Sequence, residues 1–420
     1  MRQSFYLIGL QIVAIIVGLF TTLYVAITLP ASLFAIIGVH AIITSIIIVF
    51  SNSGIETIAL RNFLSWKQKK QNRKILIYST HAFFIRITLA IILGLIVITY
   101  AYFISKEKFE GNYFIFFILF IISGIFMAVN DSFKSLLKAH NKFIQAMFSH
   151  YFVLIFGKAV ALIIFIQYGL ASYLYTIIIL PVIIFPYLFF LNYKNINIKY
   201  LFSKKLIKFS LRQSKHFAFT NYLSFIISHL DQFLISILMS AEILGLFSLI
   251  KKLVNIITGV ISNFFDPVLQ KTIQYKGNYL KAKPHLVKVF KWRNVFIVFM
   301  LIGIIFYYFF AKIIIIKLDI DHYPYFYENS IFALIGIFFI LLYKIKYYLI
   351  AAFTDSMSFF KFTTIISLIS IVSFLTFALF FDDKYIFGFT ILSGISVLSY
   401  TLFVSYRKGG LSKLINSNYI

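Results

Sequence analysis

Six ionisable side chains stand inside long apolar stretches of the sequence: Glu56, Arg86, Lys158, Asp231, Lys251 and Lys252. A charge at the centre of a membrane-spanning helix costs at least about 2.5–3.5 kcal/mol, so each must face a water-filled cavity or a partner. Cations in such a cavity can hold a phosphate or a carboxylate, and a carboxylate there can carry a proton or bind sodium.

Lys158 lies about midway along its stretch, in Phe156-Gly157-Lys158-Ala159-Val160, too deep to reach the interface easily. Two readings stand for it: an ion pair with a neighbouring helix, or an anion-binding group in a lumen. Arg86 lies about a third of the way along its stretch, where its long side chain can reach the interface. Lys251 and Lys252 are adjacent, so on a helix they point about 100° apart and only one can face a given cavity. Asp231 either exchanges an ion or pairs with Lys251 or Lys252. Glu56 is the second candidate for ion coupling, with His40 and His81 on adjoining segments as candidate relay partners. The four bases outnumber the two acids, so the expected cavity is cationic, with Arg86, Lys158, Lys251 and Lys252 as its substrate-binding residues.

The elements that position these groups follow from composition. Of 420 residues, 61% are hydrophobic and only 12% charged, against about 25% charged in soluble domains. Lipid must therefore cover much of the surface. There is no cysteine, which excludes disulfides, cysteine zinc sites and thiol chemistry. The eight histidines form no HExxH or other metal-ligand spacing, and no GxxxxGK[ST] loop couples nucleotide hydrolysis. The net charge of +26 does not point to nucleic acid, because the bases sit in short loops between apolar segments.

Twelve spans are predicted, at 5–28, 32–60, 76–104, 112–133, 143–167, 171–192, 209–238, 243–265, 292–316, 328–351, 362–381 and 386–406. The first exceeds the apolar core of a signal peptide and is read as retained. With the bases near span ends counted with the loops they adjoin, thirty of the 39 Lys and Arg fall on the side holding the N-terminus, five on the other, and four deeper within spans. The opposite loops collect acid, among them Glu107, Glu110, Asp319 and Asp382. By the positive-inside rule both termini are cytoplasmic.

The end of the second span, Glu56-x4-Arg61, recurs at the end of the eighth as Asp266-x4-Lys271, 210 residues later. Each precedes a basic loop, and each is the second helix of a set of six. The expected architecture is all-α, about twelve transmembrane helices in two six-helix lobes of parallel topology around a central cavity. Residues 1–200 form the first lobe and 201–420 the second, joined near 193–208.

Leu230-Asp231-Gln232-Phe233-Leu234-Ile235, then Ser240-Ala241-Glu242-Ile243-Leu244-Gly245-Leu246-Phe247-Ser248, then Lys252 and Pro267, resemble polysaccharide repeat-unit flippases of the Wzx type. Ser53-Gly54-Ile55 with Ala59-Leu60-Arg61 resembles the matching motif of that family's first lobe. The resemblance implies the MATE-like fold of the multidrug/oligosaccharidyl-lipid/polysaccharide exporter superfamily. It implies transport by alternating access, in which an oligosaccharide on undecaprenyl diphosphate passes from the cytoplasmic to the periplasmic leaflet of a bacterial inner membrane. The product feeds O-antigen or another surface polysaccharide. No cofactor is implied beyond H+ or Na+ coupling; the partners are the lipid-linked substrate, the bilayer and other polysaccharide-assembly membrane proteins.

Other functions fit less well. Multidrug antiporters of the same superfamily often carry an acid in the first helix, and Tyr6–Thr28 has none. Peptidoglycan-precursor flippases usually have two more helices. The polysaccharide polymerases encoded beside such flippases are enzymes with one large periplasmic loop, and here every outer loop is short.

Overall fold

The computed structural model describes residues 2–140, 142–201, 204–274, 279–320, 322–353 and 356–407, which are helix and turn throughout with no strand. The helices are α1 (Arg2–Thr28), α2 (Ala31–Phe50), α3 (Ile55–Gln68), α4 (Asn72–Phe109), α5 (Phe114–Ala139), α6 (Phe143–Phe152), α7 (Lys158–Asn192), α8 (Lys204–Leu238), α9 (Ala241–Gln274), α10 (Tyr279–Lys317), α11 (Phe326–Phe353), α12 (Ser356–Phe380) and α13 (Gly388–Arg407). Among the described residues, seven helical stretches are long and apolar enough to cross a membrane, and shorter apolar helices accompany them. With α2 and α3 counted as one, α6 joined to the first part of α7, and α7 divided at Gly169, the helices among the described residues number twelve. α4, 38 residues long, extends about 57 Å and so outreaches a hydrocarbon core of about 30 Å. Its first turns carry Arg73 and Lys74 and its last turn Lys106 and Lys108, which suits ends that reach the headgroups.

The exposed faces are apolar. On α10, Val298, Phe299, Ile302, Phe306, Phe309 and Ile313 are all more than half exposed and recur at helical spacing. Water would not tolerate that surface, and acyl chains would.

Two compact units form. One comprises Ile16–Val25 and Ala35–Leu244. Its core ties α3 to α4 and α5 through Ile55, Ala59, Phe63, Tyr78, Ala82 and Leu136. A second cluster, with Phe83, Phe133, Leu137, Ile184 and Leu188, joins α4, α5 and α7. α8 belongs to this unit, with Tyr222 and Phe225 packed on Phe50 of α2 at 5.4 and 5.0 Å between ring centroids. The other unit comprises Met1–Ile15, Ala26–Phe34 and Gly245–Ile420. There Phe247 of α9 stacks on Phe387 at 4.4 Å. Buried Asn329 accepts from Phe387 N–H and donates to the Asp383 carbonyl, fixing the α12–α13 turn against α11.

Two local features depart from the predicted spans. The second span, 32–60, is interrupted: α2 stops at Phe50 and α3 starts at Ile55. Ser51-Asn52-Ser53-Gly54 is a run of turn formers. Asn52 Oδ1 accepts from Gly54 N–H at 3.0 Å, and Gly54 adopts φ +76°. A Cβ on Gly54 would meet the α8 backbone, 2.6 Å from Ala218 N and 2.7 Å from the Ser214 carbonyl, so α8 seats on the break. In the fifth span, a π-helical turn at Val153–Gly157 joins α6 to α7. The fifth and sixth spans then separate at Gly169, whose φ of 77° interrupts α7.

Candidate functional site

The break between α2 and α3 creates the first functional constellation. Asn52 N–H turns back to the Val49 carbonyl, which releases the Ile48 carbonyl from the helical ladder. Ser51 Oγ donates to it at 3.2 Å, and Arg86 of α4 fills the rest of the gap. Its NH2 donates to Ile48 O at 2.9 Å and to Asp131 Oδ2 of α5 at 3.2 Å, and its NH1 donates to Glu56 Oε1 at 3.1 Å. Glu56 lies in the first turn of α3, where the helix dipole also favours a carboxylate. The Arg86 and Glu56 side chains are 1% and 3% exposed, whereas Asp131 is 44% exposed and also approaches Lys134 at 4.0 Å. Arg86 thus has almost no accessible surface, and two carboxylates meet its charge. Glu56 is engaged by Arg86; His81 is held by Ser210 Oγ at 2.8 Å and the Tyr200 carbonyl at 3.1 Å. His40 packs edge-on against Phe120 at 4.7 Å.

Lys158 is a different kind of group. It is the first residue after the π-helical turn, a distortion often found at functional sites because it re-aims the side chains that follow. Gly157 lets that turn close on Leu180, whose Cδ1 would lie 2.7 Å from a Cβ there. The partly buried Lys158 side chain then runs toward α1, and its ammonium lies beside Gly18, 2.8 Å from where a Cβ would stand. Tyr24 of α1 meets Phe165 of α7 edge-on at 6.4 Å. These two contacts advance together along both chains, so α1 and the first part of α7 run parallel, as the first and fifth spans of an alternating topology must. Among the described residues no carboxylate pairs with Lys158.

The other predicted residues are placed as follows. Asp231 Oδ1 accepts from the Gln232 backbone N–H at 2.7 Å. Lys251 is 8% exposed with its ammonium 5.5 Å from the Phe247 ring, and Lys252 lies 5.1 Å over the Phe34 ring. Asp231 belongs to the unit ending at Leu244, and both lysines belong to the other. The side chains of Arg61, Asp266 and Lys271 lie outside the described residues. The backbones differ between the paired motifs: Glu56 follows a helix break, whereas Asp266 lies within continuous α9.

Between α5 and α6, His140 packs on Phe63 at 5.1 Å. Burial, with Lys142 and Lys67 beside it, lowers its pKa to about 4. That corner of the protein is strongly electropositive, and His140 stays neutral at physiological pH.

A sequence profile described as polysaccharide biosynthesis protein matches residues 1–273, well over half of the chain. The chain belongs to that family. No curated protein sequence matches it significantly. Solved structures share the fold at low identity. A eukaryotic MATE transporter, AtDTX14, aligns over 100% of this chain and 98% of its own at 11% identity, with a TM-score of 0.67. A mutant of the Vibrio cholerae MATE transporter VcmN aligns over 98% of both chains at 10% identity and 0.65. A MOP-superfamily transporter from Pyrococcus furiosus, whose reversed pocket polarity is taken to suggest a different function, aligns over 98% of this chain and 95% of its own at 13% identity and 0.54. This polysaccharide biosynthesis protein is therefore a multi-pass helical membrane protein with the MATE-like fold.

Sequence reasoning singled out Lys158, Arg86 and Glu56 as charges within spans, and did not pair Asp131 with Arg86 or place Gly18 beside Lys158. Both omissions are long-range: Asp131 is 45 residues from Arg86, and no local pattern marks the glycine that faces a lysine on another helix.

Proposed function

We propose that this protein turns undecaprenyl-diphosphate-linked oligosaccharide repeat units from the cytoplasmic to the periplasmic leaflet of a bacterial inner membrane by alternating access, for O-antigen or another surface polysaccharide. Both termini are cytoplasmic in this reading, and lobes of residues 1–200 and 201–420 rock about the substrate. The observation that carries it is Lys158, a partly buried ammonium within a membrane helix with no carboxylate partner among the described residues. A cation kept at that cost needs an anion to meet it, and a diphosphate crossing hydrocarbon needs its charge met. Lys251 and Lys252 add cations elsewhere in the chain.

Membership in a polysaccharide biosynthesis family supports the substrate class. The Pyrococcus furiosus transporter of this fold supports the view that pocket polarity separates functions. A cationic drug would be repelled by Lys158. Uphill transport would draw on H+ or Na+, with Glu56 and Asp231 as the coupling carboxylates.

Deleting the gene tests the proposal. Lipid-linked single repeat units should collect on the cytoplasmic leaflet. Single units reaching the periplasm and joining the core, without polymer, would instead assign the chain to a polymerase step.

A further inference from the structure

The first turns of α8 carry Lys204, Lys205, Lys208, Arg212 and Lys215, all of them exposed. We infer that this face of α8 is a docking surface for anionic phospholipid headgroups of the leaflet around it, the cytoplasmic leaflet in the reading above. The inference does not depend on what the protein transports.

Three observations carry it. First, the bases share one face. At about 100° per residue the five fall within an arc of about 100°, and along the axis they extend about 16 Å. Bases that only set the orientation of a loop need no common face. The α3–α4 connection is of that kind: Lys67, Lys69, Lys70, Arg73 and Lys74 carry the same charge but lie on two helices and the turn between them. Second, α8 is fixed so that the stripe points outward. On the opposite side of the helix Ser210 and Ser214 are buried, and Leu206 and Phe217 pack on the core that ties α3 to α4 and α5. Ser210 Oγ meets His81 Nδ1 at 2.8 Å, and Gln213 Oε1 accepts from the Tyr78 hydroxyl. With that side anchored, α8 cannot roll to hide its bases. Third, no acid of the chain answers the stripe, and apolar surface borders it. Between Asp131 and Asp231 the sequence contains no Asp or Glu, and among the described residues no carboxylate pairs with any of the five bases. Phe219, one turn beyond Lys215 and within the same arc, is 53% exposed; Phe209 and Leu211, on either side of the stripe, are 50% and 40% exposed. That mixture suits the boundary between headgroups and acyl chains, where phosphates meet the bases and the apolar side chains enter the lipid. An acidic soluble partner would answer the bases alone.

The test measures binding of phosphatidylglycerol and phosphatidylcholine to the purified full chain in a non-ionic detergent. Wild-type protein should prefer phosphatidylglycerol at least tenfold, and the preference should shrink as salt rises, because screening weakens exposed charges. Replacing all five α8 bases with Gln should cut the preference to twofold or less. The same replacement at Lys67, Lys69, Lys70, Arg73 and Lys74 removes an equal charge and should leave most of the preference. Equal loss in the two Gln sets would overturn the inference, since net charge alone would then explain the binding. So would a preference that survives the α8 set. A wild type with no preference, or with one indifferent to salt, would overturn it without any variant. Tighter binding of soluble polyglutamate than of phosphatidylglycerol would assign the face to an acidic protein and overturn it as well.

Discussion

Arg86 of α4 and Glu56 of α3 are paired at 3.1 Å with side chains only 1% and 3% exposed, at the point where the second span breaks into two helices. The guanidinium does three jobs there: it pairs with Glu56, reaches Asp131 and takes the carbonyl of Ile48 that the break sets free. Removing one partner of a buried pair leaves the other uncompensated, at about 3–5 kcal/mol. Arg86→Ala should therefore lower the yield and melting temperature of purified protein sharply. Arg86→Lys should recover only part of the loss, since an ammonium cannot reproduce the planar fork. Glu56→Gln should be milder than either, because an amide oxygen still accepts from NH1. Wild-type stability in Arg86→Ala would show that the pair does not hold the break.

Gly54 is the backbone counterpart of that pair. Its left-handed φ of +76° costs a residue with a Cβ about 1–2 kcal/mol, and the Cβ would also meet Ala218 N at 2.6 Å. Gly54→Ala should lower the melting temperature by several degrees and loosen α8. Faster proteolysis or hydrogen exchange at Ser210–Ala218 would report the second effect.

Lys158 should behave differently from Arg86. Among the described residues it has no carboxylate to strand, so Lys158→Ala should leave protein level and melting temperature near normal while export of polysaccharide falls at least tenfold. Lys158→Arg, which keeps the charge, should retain a measurable fraction. Undiminished export in Lys158→Ala would return the lysine to a structural role.

His140 supplies a pH dependence. Its folded pKa of about 4 lies below its ordinary value near 6.5, so the folded state favours the neutral ring. The unfolded chain then binds the extra proton as pH falls. Stability from this group is complete above about 6.5 and is lost between there and about 4. Melting temperature in detergent should decline over that window, and His140→Phe, which keeps the ring against Phe63, should flatten the decline. An identical decline in both proteins would assign the effect to other groups.

Much of the architecture was legible because lipid imposes long apolar runs, and runs of twenty residues are hard to misread. The family was legible for a related reason: Leu230–Ile235 and Ser240–Ser248 lie on and between helices whose places in the chain the apolar runs already fixed. The break at Gly54 was hidden, since the apolar run before Phe50 and the half-apolar α3 average into one span, although Ser51-Asn52-Ser53-Gly54 carries the turn chemistry in plain view. The π-helical turn before Lys158 has no comparable mark; Val153-Leu154-Ile155-Phe156-Gly157 reads as ordinary helix. Partners were the least legible. Arg86 meets Glu56 and Asp131, 30 and 45 residues away, and His81 meets Ser210 across 129. Only packing decides which charges meet, so a count of buried bases against acids could not show that Arg86 is met by two carboxylates and Lys158 by none among the described residues.

If this chain moves a lipid-linked oligosaccharide and Lys158 meets its charge, both should be visible in one reconstituted system. The most direct measurement reconstitutes the purified chain in liposomes carrying undecaprenyl-diphosphate-linked oligosaccharide and follows how much sugar on the inner leaflet becomes accessible to an external lectin or glycosidase. Exposure should run well above that of protein-free liposomes and fall at least tenfold in Lys158→Ala at equal protein content. Exposure no faster than in protein-free liposomes, or equal for wild type and Lys158→Ala, would contradict it.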